Sequence, residues 1–211
     1  MTTRIEEQAV ADLLLTGFEP FGSFETNPSW DALALARGHG LLGPRVALAR
    51  IPVVYATAWA AFEAALAQHK PSAAVSFGLH SGLSGRDATT LYVECTARNR
   101  DGAQKADNAG ETRAARSIDE SAPATLPATV DAQALVNALN KEGFSAVASD
   151  NAGAYLCNHL FFRGAQALQG RIPYGFVHVP PLDTQGGVLT LERLAHAVAI
   201  IAEVVGRPNL A

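Results

Sequence analysis

Ser149 to Phe162 reads SDNAGAYLCNHLFF. It follows a short apolar run, Phe144–Ser149, and passes through the turn-forming Asp150-Asn-Ala-Gly153 into a segment where Leu156, Leu160 and Phe161 recur at helical spacing. The order is buried strand, polar turn, amphipathic helix, and Cys157 falls in the first helical turn. A thiol there meets unpaired backbone N–H groups and the positive end of the helix dipole, both of which favour thiolate. That setting suits a nucleophile; the competing reading is a small core residue, a common fate of free cysteine.

The same alternation fills the first half of the chain. Asp12–Thr16 is an apolar strand delivering the loop Gly17-Phe-Glu-Pro-Phe-Gly22, and Asn27-Pro28-Ser29 supplies a cap and a first-turn proline for the helix that carries Trp30, Leu33 and Leu35. Val46–Val54 is a second strand with Pro52 near its end, Ala56–His69 a helix, and Ala73–Phe77 a third strand that stops at Gly78. Three such alternations predict a layered α/β fold whose loops bind ligands at one edge of the sheet. Between Gly78 and Thr125 only Thr89–Ala97 has strand character, as one arm of a hairpin or as an added antiparallel strand, and it carries Glu94. The remaining loop is of a length that suits a binding surface or a subunit contact. Asp131–Glu142 is a helix stopped by Gly143, Gly175–Pro180 a buried strand, and Val188–Val205 the closing helix.

At 211 residues without an evident linker, the chain reads as one domain, 1–211. A formal charge of −4 with no basic cluster gives no footprint for nucleic acid, and no apolar run reaches the length of about 18 residues that a membrane span needs. The acidic, interrupted opening segment lacks the order of a secretory signal. With Cys95 and Cys157 the only cysteines there is no disulfide framework; both thiols read as free and the compartment as a reducing cytoplasm. The partner expected is small or peptidic.

Three groups fall where such a fold exposes side chains: Glu94 in the irregular middle, Cys157 at a helix start and His178 near a strand end. Cysteine, base and carboxylate are the minimum for a thiol hydrolase, the imidazole moving the proton and the carboxylate fixing its tautomer. A histidine inside Phe176-Val-His-Val reads equally as a hydrogen-bonded core residue. His159, two residues after Cys157, points to another helix face; His39, His69, His80 and His196 read as surface or helix positions.

Leu15-Thr-Gly-Phe-Glu-Pro-Phe-Gly22 with Asn27-Pro-Ser29, Asn151-Ala-Gly-Ala-Tyr-Leu-Cys-Asn-His-Leu-Phe161 and Gly175-Phe-Val-His-Val-Pro180 together resemble, in the same order, the signature blocks of the pyroglutamyl peptidase I family. The resemblance implies a three-layer α/β/α sandwich with a mostly parallel sheet and an added antiparallel hairpin. It implies removal of N-terminal pyroglutamate from peptides without metal or cofactor, and a homo-oligomer, dimer or tetramer. Carried over, the nucleophile falls on Cys157, the base on His178 and the glutamate on Glu94, whose segment Glu94-Cys-Thr-Ala-Arg-Asn99 matches a motif resembling Glu-Arg-Val-Ala-Ile-Asn. Phe18 and Phe21 match the aromatic pair around the lactam ring, a small flat ring that wants apolar faces, and Tyr155 and Leu156 occupy the pocket stretch before the nucleophile.

Departures from the family lie at Gly78-Leu-His-Ser-Gly-Leu-Ser-Gly-Arg86, which is enlarged and places Leu79 by the lactam site, and at Gln104-Lys105, where the family has an arginine that aids charge stabilisation. Leu79 and the enlarged loop suggest an alternative, a related thiol amidohydrolase with another substrate. Gln104 and Cys95 suggest another, a degenerate binder of capped peptides.

Overall fold

The computed structural model describes residues 11–80 and 86–206. The acidic opening segment and positions 81–85 of the enlarged loop lie outside the described residues.

In chain order the elements are β1 (Leu13–Phe18), α1 (Pro28–Gly38), β2 (Val46–Ile51), α2 (Tyr55–His69), β3 (Ala73–Leu79), β4 (Thr90–Glu94), β5 (Thr96–Arg98), β6 (Thr125–Pro127), α3 (Ala132–Lys141), β7 (Ser145–Ser149), α4 (Leu156–Leu168), β8 (Tyr174–Val179) and α5 (Leu191–Gly206). Six strands form one sheet in the order β2-β1-β3-β8-β4-β7, and β5 with β6 forms a separate antiparallel pair. All pairings in the large sheet are parallel except that of β4 with β8. Parallel neighbours cannot be joined by a tight turn, so the crossover helices cover the faces. Leu13 and Leu15 of β1 pack into one core with α1, α3 and α5, while Leu14 packs into the other with α2 and α4. The fold is thus an α/β sandwich of three layers.

Local chemistry fixes how the loops leave the sheet. Asn27 caps α1 by accepting from the Ser29 amide at 3.1 Å, with Pro28 in the first turn, where its missing N–H costs nothing. Ser29 Oγ in turn accepts from the Phe18 amide at 3.0 Å. A side chain on Gly17 would put its Cβ 2.3 Å from the Ser29 carbonyl oxygen, so β1 and α1 meet only because residue 17 lacks one. Thr16 donates to Ser76 Oγ at 2.8 Å, and Ser76 meets the Tyr174 hydroxyl at 3.0 Å, a buried polar thread through β1, β3 and β8.

Several boundaries differ from the sequence reading. β2 ends at Ile51, because Pro52 has no N–H to continue the ladder. β3 runs past Gly78 to Leu79, its last residues paired with His178 and Val179 of β8. The single strand expected over Thr89–Ala97 is broken at Cys95, its first part pairing with β8 and β7 and its second entering the small ribbon. The strand expected to be buried at Phe144–Ser149 is one of the two edge strands, β7, and Ser145, Val147 and Ala148 are exposed. Its Ala146 packs into the α3 core, but among the described residues no further strand covers its other edge.

Candidate active site

β1, β3 and β8 run parallel and end at the same sheet edge, which brings Phe18, Leu79 and the end of β8 together. β4 arrives beside β8 from the opposite direction, setting Tyr92 opposite His178 and Glu94 opposite Phe176. Residues two apart on a strand share a face, so Glu94 and His178 are diagonal neighbours. The two meet: His178 Nδ1 lies 2.7 Å from Glu94 Oε1, with both side chains almost fully buried. The carboxylate can only accept, so the Nδ1 proton is donated to it and Nε2 remains for other chemistry.

Cys157 sits in the first turn of α4, after Tyr155 in extended conformation. A Cβ on Gly78 would lie 2.7 Å from the Cys157 sulfur and 2.9 Å from the Phe176 ring. The bare backbone of Gly78, which pairs with His178 in the ladder, is therefore what lets the sulfur approach the sheet. Cys157 and His178 line one cavity of about 260 Å³ together with Phe18, Phe21, Leu79, Tyr155 and Leu156. Glu94 lies behind His178 and does not line it. Asn27, Val53, Ala103, Lys105 and Ala152–Ala154 complete the wall.

The electrostatics overturn one expectation. Burial, and then the Glu94 charge, push the Cys157 thiol up, against the opposing pull of Arg86 and Lys105. The helix start that favours thiolate is outweighed by desolvation and a nearby anion, so the resting sulfur carries its proton. Burial also draws His178 below its ordinary value in spite of the Glu94 hydrogen bond and charge. Burial would raise Glu94, but the His178 hydrogen bond and charge, the Arg86 cation and Ser149 hold it below its ordinary value.

Two residues that the sequence reading names only as part of departures from the family pattern, with no role of their own, stand beside this group. Arg86 Nη2 reaches Glu94 Oε1 at 2.6 Å, Ser149 Oγ at 3.1 Å and the Asn151 carbonyl at 2.6 Å, with its guanidinium 4.1 Å from the Tyr92 ring centroid. The only signal was its place at the end of the enlarged loop, where insertions hide the register. Gln104 and Lys105 are both exposed, but of the two it is Lys105 that lines the cavity, its ammonium 4.2 Å from the Phe21 centroid.

His80, read as a surface or helix position, is buried just past the end of β3, and His159, on a helix as read, is buried as well. His80 Nε2 meets the Thr90 carbonyl at 3.1 Å. His159 Nδ1 is 3.0 Å from Asp101 Oδ1, and Arg113 Nη1 donates to Asp101 Oδ2 at 2.7 Å. Cys95 is half-buried and free, its nearest polar contact the Val93 carbonyl at 3.8 Å. Among the described residues no cluster of three or more His, Cys, Asp or Glu side chains could hold a metal, and no helix is long and apolar enough to cross a membrane.

The family model for pyroglutamyl peptidase matches residues 11–204. A pyrrolidone-carboxylate peptidase of Clavibacter michiganensis is 34% identical over 196 residues, covering 90% of each chain. The crystal structure of Bacillus amyloliquefaciens pyroglutamyl peptidase I superposes with a TM-score of 0.84 at 29% identity, over 92% of this chain and 96% of that one. The pyrrolidone carboxyl peptidase of Thermus thermophilus gives 0.80 at 31% identity, over 91% and 99%.

Proposed function

This chain belongs to the pyroglutamyl peptidase family of cysteine-type hydrolases, and from that membership we propose that it removes N-terminal pyroglutamate by a triad of Cys157, His178 and Glu94. The observation that carries the reading is the buried Glu94–His178 pair, at 2.7 Å, beside the cavity that His178 shares with the Cys157 sulfur.

The pyroglutamyl lactam is small, flat and uncharged, and the apolar surfaces of Phe18, Phe21, Leu79, Tyr155 and Leu156 suit it. With the ring held there, the carbonyl that joins it to the next residue meets the sulfur. Because burial favours the neutral forms of both thiol and imidazole, the proton moves during attack. His178 Nε2 takes it from Sγ and gives it to the departing amine, leaving pyroglutamate as a thioester on Cys157. Water activated by the same imidazole then hydrolyses the thioester. Glu94 holds the Nδ1 proton and stabilises the imidazolium formed at each step. The first backbone N–H groups of α4 have no partner within the helix and meet the oxyanion, at about 3 kcal/mol per donor.

Purified protein should release the fluorophore from a pyroglutamyl amide, and Cys157→Ala should abolish release while leaving the unfolding midpoint close to that of the parent. Turnover undiminished in Cys157→Ala would reject the mechanism. The binder reading drew on Gln104 and on Cys95; against the first, Lys105 brings a cation to the cavity.

A further inference from the structure

The cavity wall is apolar except for a few groups, and their signs are unequal. Lys105 brings an ammonium to it, drawn below its ordinary value by burial, burial draws His178 toward the neutral form, and among the described residues no carboxylate lines the cavity. Nothing nearby neutralises the ammonium: among the described residues Lys105 makes no ion pair. The acids of the adjoining loops are engaged elsewhere. Asp107 accepts from the amides of Tyr55, Ala109 and Glu111 at 2.8, 2.9 and 2.8 Å, and Glu19 accepts from the Val53 amide and the Asn108 side chain at 2.9 and 3.0 Å.

The backbone that presents this cation is pinned on both sides. Gly102 and Ala103 donate to the Ala154 carbonyl at 3.0 and 3.1 Å, Tyr155 donates its hydroxyl proton to the Ala106 carbonyl at 2.8 Å, and Asn108 donates to the Val53 carbonyl at 2.9 Å. The chain on either side of Lys105 is thus held, and its ammonium lies 4.2 Å from the Phe21 ring centroid and 5.9 Å from that of Tyr155. A cation against aromatic faces in a part-dry wall is poised for an anion. The lactam cannot supply one, because it is neutral. In a pyroglutamyl peptide the nearest carboxylate belongs to the leaving portion, as an Asp or Glu side chain on the second residue or as the terminal carboxylate of a dipeptide.

We propose that Lys105 is a specificity-determining residue that selects pyroglutamyl peptides whose leaving residue carries a carboxylate. The inference rests on the peptidase reading above and adds to it the class of leaving residue. A partly exposed ion pair of this kind is worth about a three- to fivefold preference.

The test measures kcat/KM for pyroglutamyl-alanine amide, pyroglutamyl-glutamate amide, pyroglutamyl-lysine amide and the free acid pyroglutamyl-alanine, at low and high ionic strength. The parent enzyme should favour the glutamate amide or the free acid over the alanine amide by about three- to fivefold and disfavour the lysine amide, with the spread shrinking in salt. Lys105→Gln should level the series and Lys105→Glu should invert it. Preference for the glutamate amide alone assigns the side-chain carboxylate as the partner, and preference for the free acid alone assigns the terminal one. Equal rates in the parent, or an order that survives in Lys105→Gln, would overturn the inference while leaving the peptidase reading intact. Loss of all four substrates alike in Lys105→Gln would also overturn it, moving the lysine to the reacting atoms. No release from any substrate by the parent would remove the peptidase reading and this inference together.

Discussion

Two histidine–carboxylate pairs stand in this molecule, and they are built alike. In one, His178 meets Glu94 at 2.7 Å, Arg86 pairs with the same carboxylate at 2.6 Å, and the guanidinium lies 4.1 Å from the Tyr92 centroid. In the other, His159 meets Asp101 at 3.0 Å, Arg113 pairs with it at 2.7 Å, and that guanidinium lies 3.9 Å from the Tyr55 centroid. Both carboxylates are held below their ordinary values against the opposing effect of burial, by imidazole and guanidinium together. The difference lies in what each imidazole faces. His178 lines the cavity that holds the Cys157 sulfur, whereas His159 packs its ring edge-on to Tyr55, 5.4 Å between centroids, and lines no part of that cavity. A buried imidazole, carboxylate and guanidinium are thus equally a means of fastening a long loop to a helix; access to a thiol and a substrate slot is what gives one of them chemistry.

The widest separation between the pairs should appear in rate and stability together. His178→Ala should lower kcat on the order of 10⁴-fold, the scale set by removing a triad member, while the protein stays folded. Asp101→Asn should do the reverse. It removes the charge that the Arg113 guanidinium and the His159 ring both meet, leaving them one amide oxygen to share and Arg113 with Glu111 as its remaining carboxylate, which costs about 1.5–3 kcal/mol in urea unfolding. The folded fraction should still turn over pyroglutamyl amides within about fivefold of the parent rate. Equal losses of rate in the two variants would dissolve the distinction between them.

A smaller effect separates the two regions in acid. His80, 4% exposed, lies against Tyr92 and is drawn down to about 4, first by burial and then by the nearby His178. Above pH 6.5 it is neutral in both folded and unfolded chains and contributes no slope. Between pH 6.5 and about 4 the unfolded chain binds a proton that the folded chain refuses, so stability falls as the pH falls. The gap is worth about 3 kcal/mol, and it closes below pH 4. Urea midpoints taken from pH 7 to pH 4 should show this decline, and His80→Gln should flatten it. His178, also drawn down, adds a decline of the same sign, so a curve still equally steep in His80→Gln would assign the slope to His178 instead.

Much of the fold was legible because its signals are local. The strand–turn–helix of Ser149–Phe162, the Asn27-Pro28-Ser29 cap and the Asp131 cap with Gly143 beyond it each depend on neighbours a few residues away, and each stands within a residue or two of where it was read. Glu94, Cys157 and His178 were legible as chemistry-bearing types, and the family blocks gave their correspondence. What could not be read depends on distance in the chain. β7 is exposed because of its place at the sheet edge, and no pattern within five residues reveals that. His159 is buried because Asp101 and Arg113 come to it across 58 and 46 positions. The thiol's protonation was misread for a related reason: the helix start is local, but the desolvation and the Glu94 charge that outweigh it come from the fold. Arg86 was obscured by insertions on its own side of Glu94.

Arg86 therefore offers the finest probe of what sets the cavity-facing pair apart. Its Nη2 joins the Glu94 carboxylate, Ser149 at the end of β7 and the Asn151 carbonyl in the turn before α4, so one guanidinium braces both the carboxylate and the approach to Cys157. Its charge also lowers His178. Removing that charge raises the imidazole toward the protonated form, which cannot accept the thiol proton. Arg86→Gln should accordingly move the acid limb of kcat/KM to higher pH by about one unit, in addition to any loss at the plateau. Arg86→Lys should return the limb toward its original position because it restores the charge, yet recover less of the plateau because the ammonium lacks the planar guanidinium that lies over the Tyr92 ring and fixes the direction of the donor. A plateau loss in Arg86→Gln with the acid limb unmoved would make Arg86 a brace alone, and would leave burial as the only cause that keeps His178 neutral.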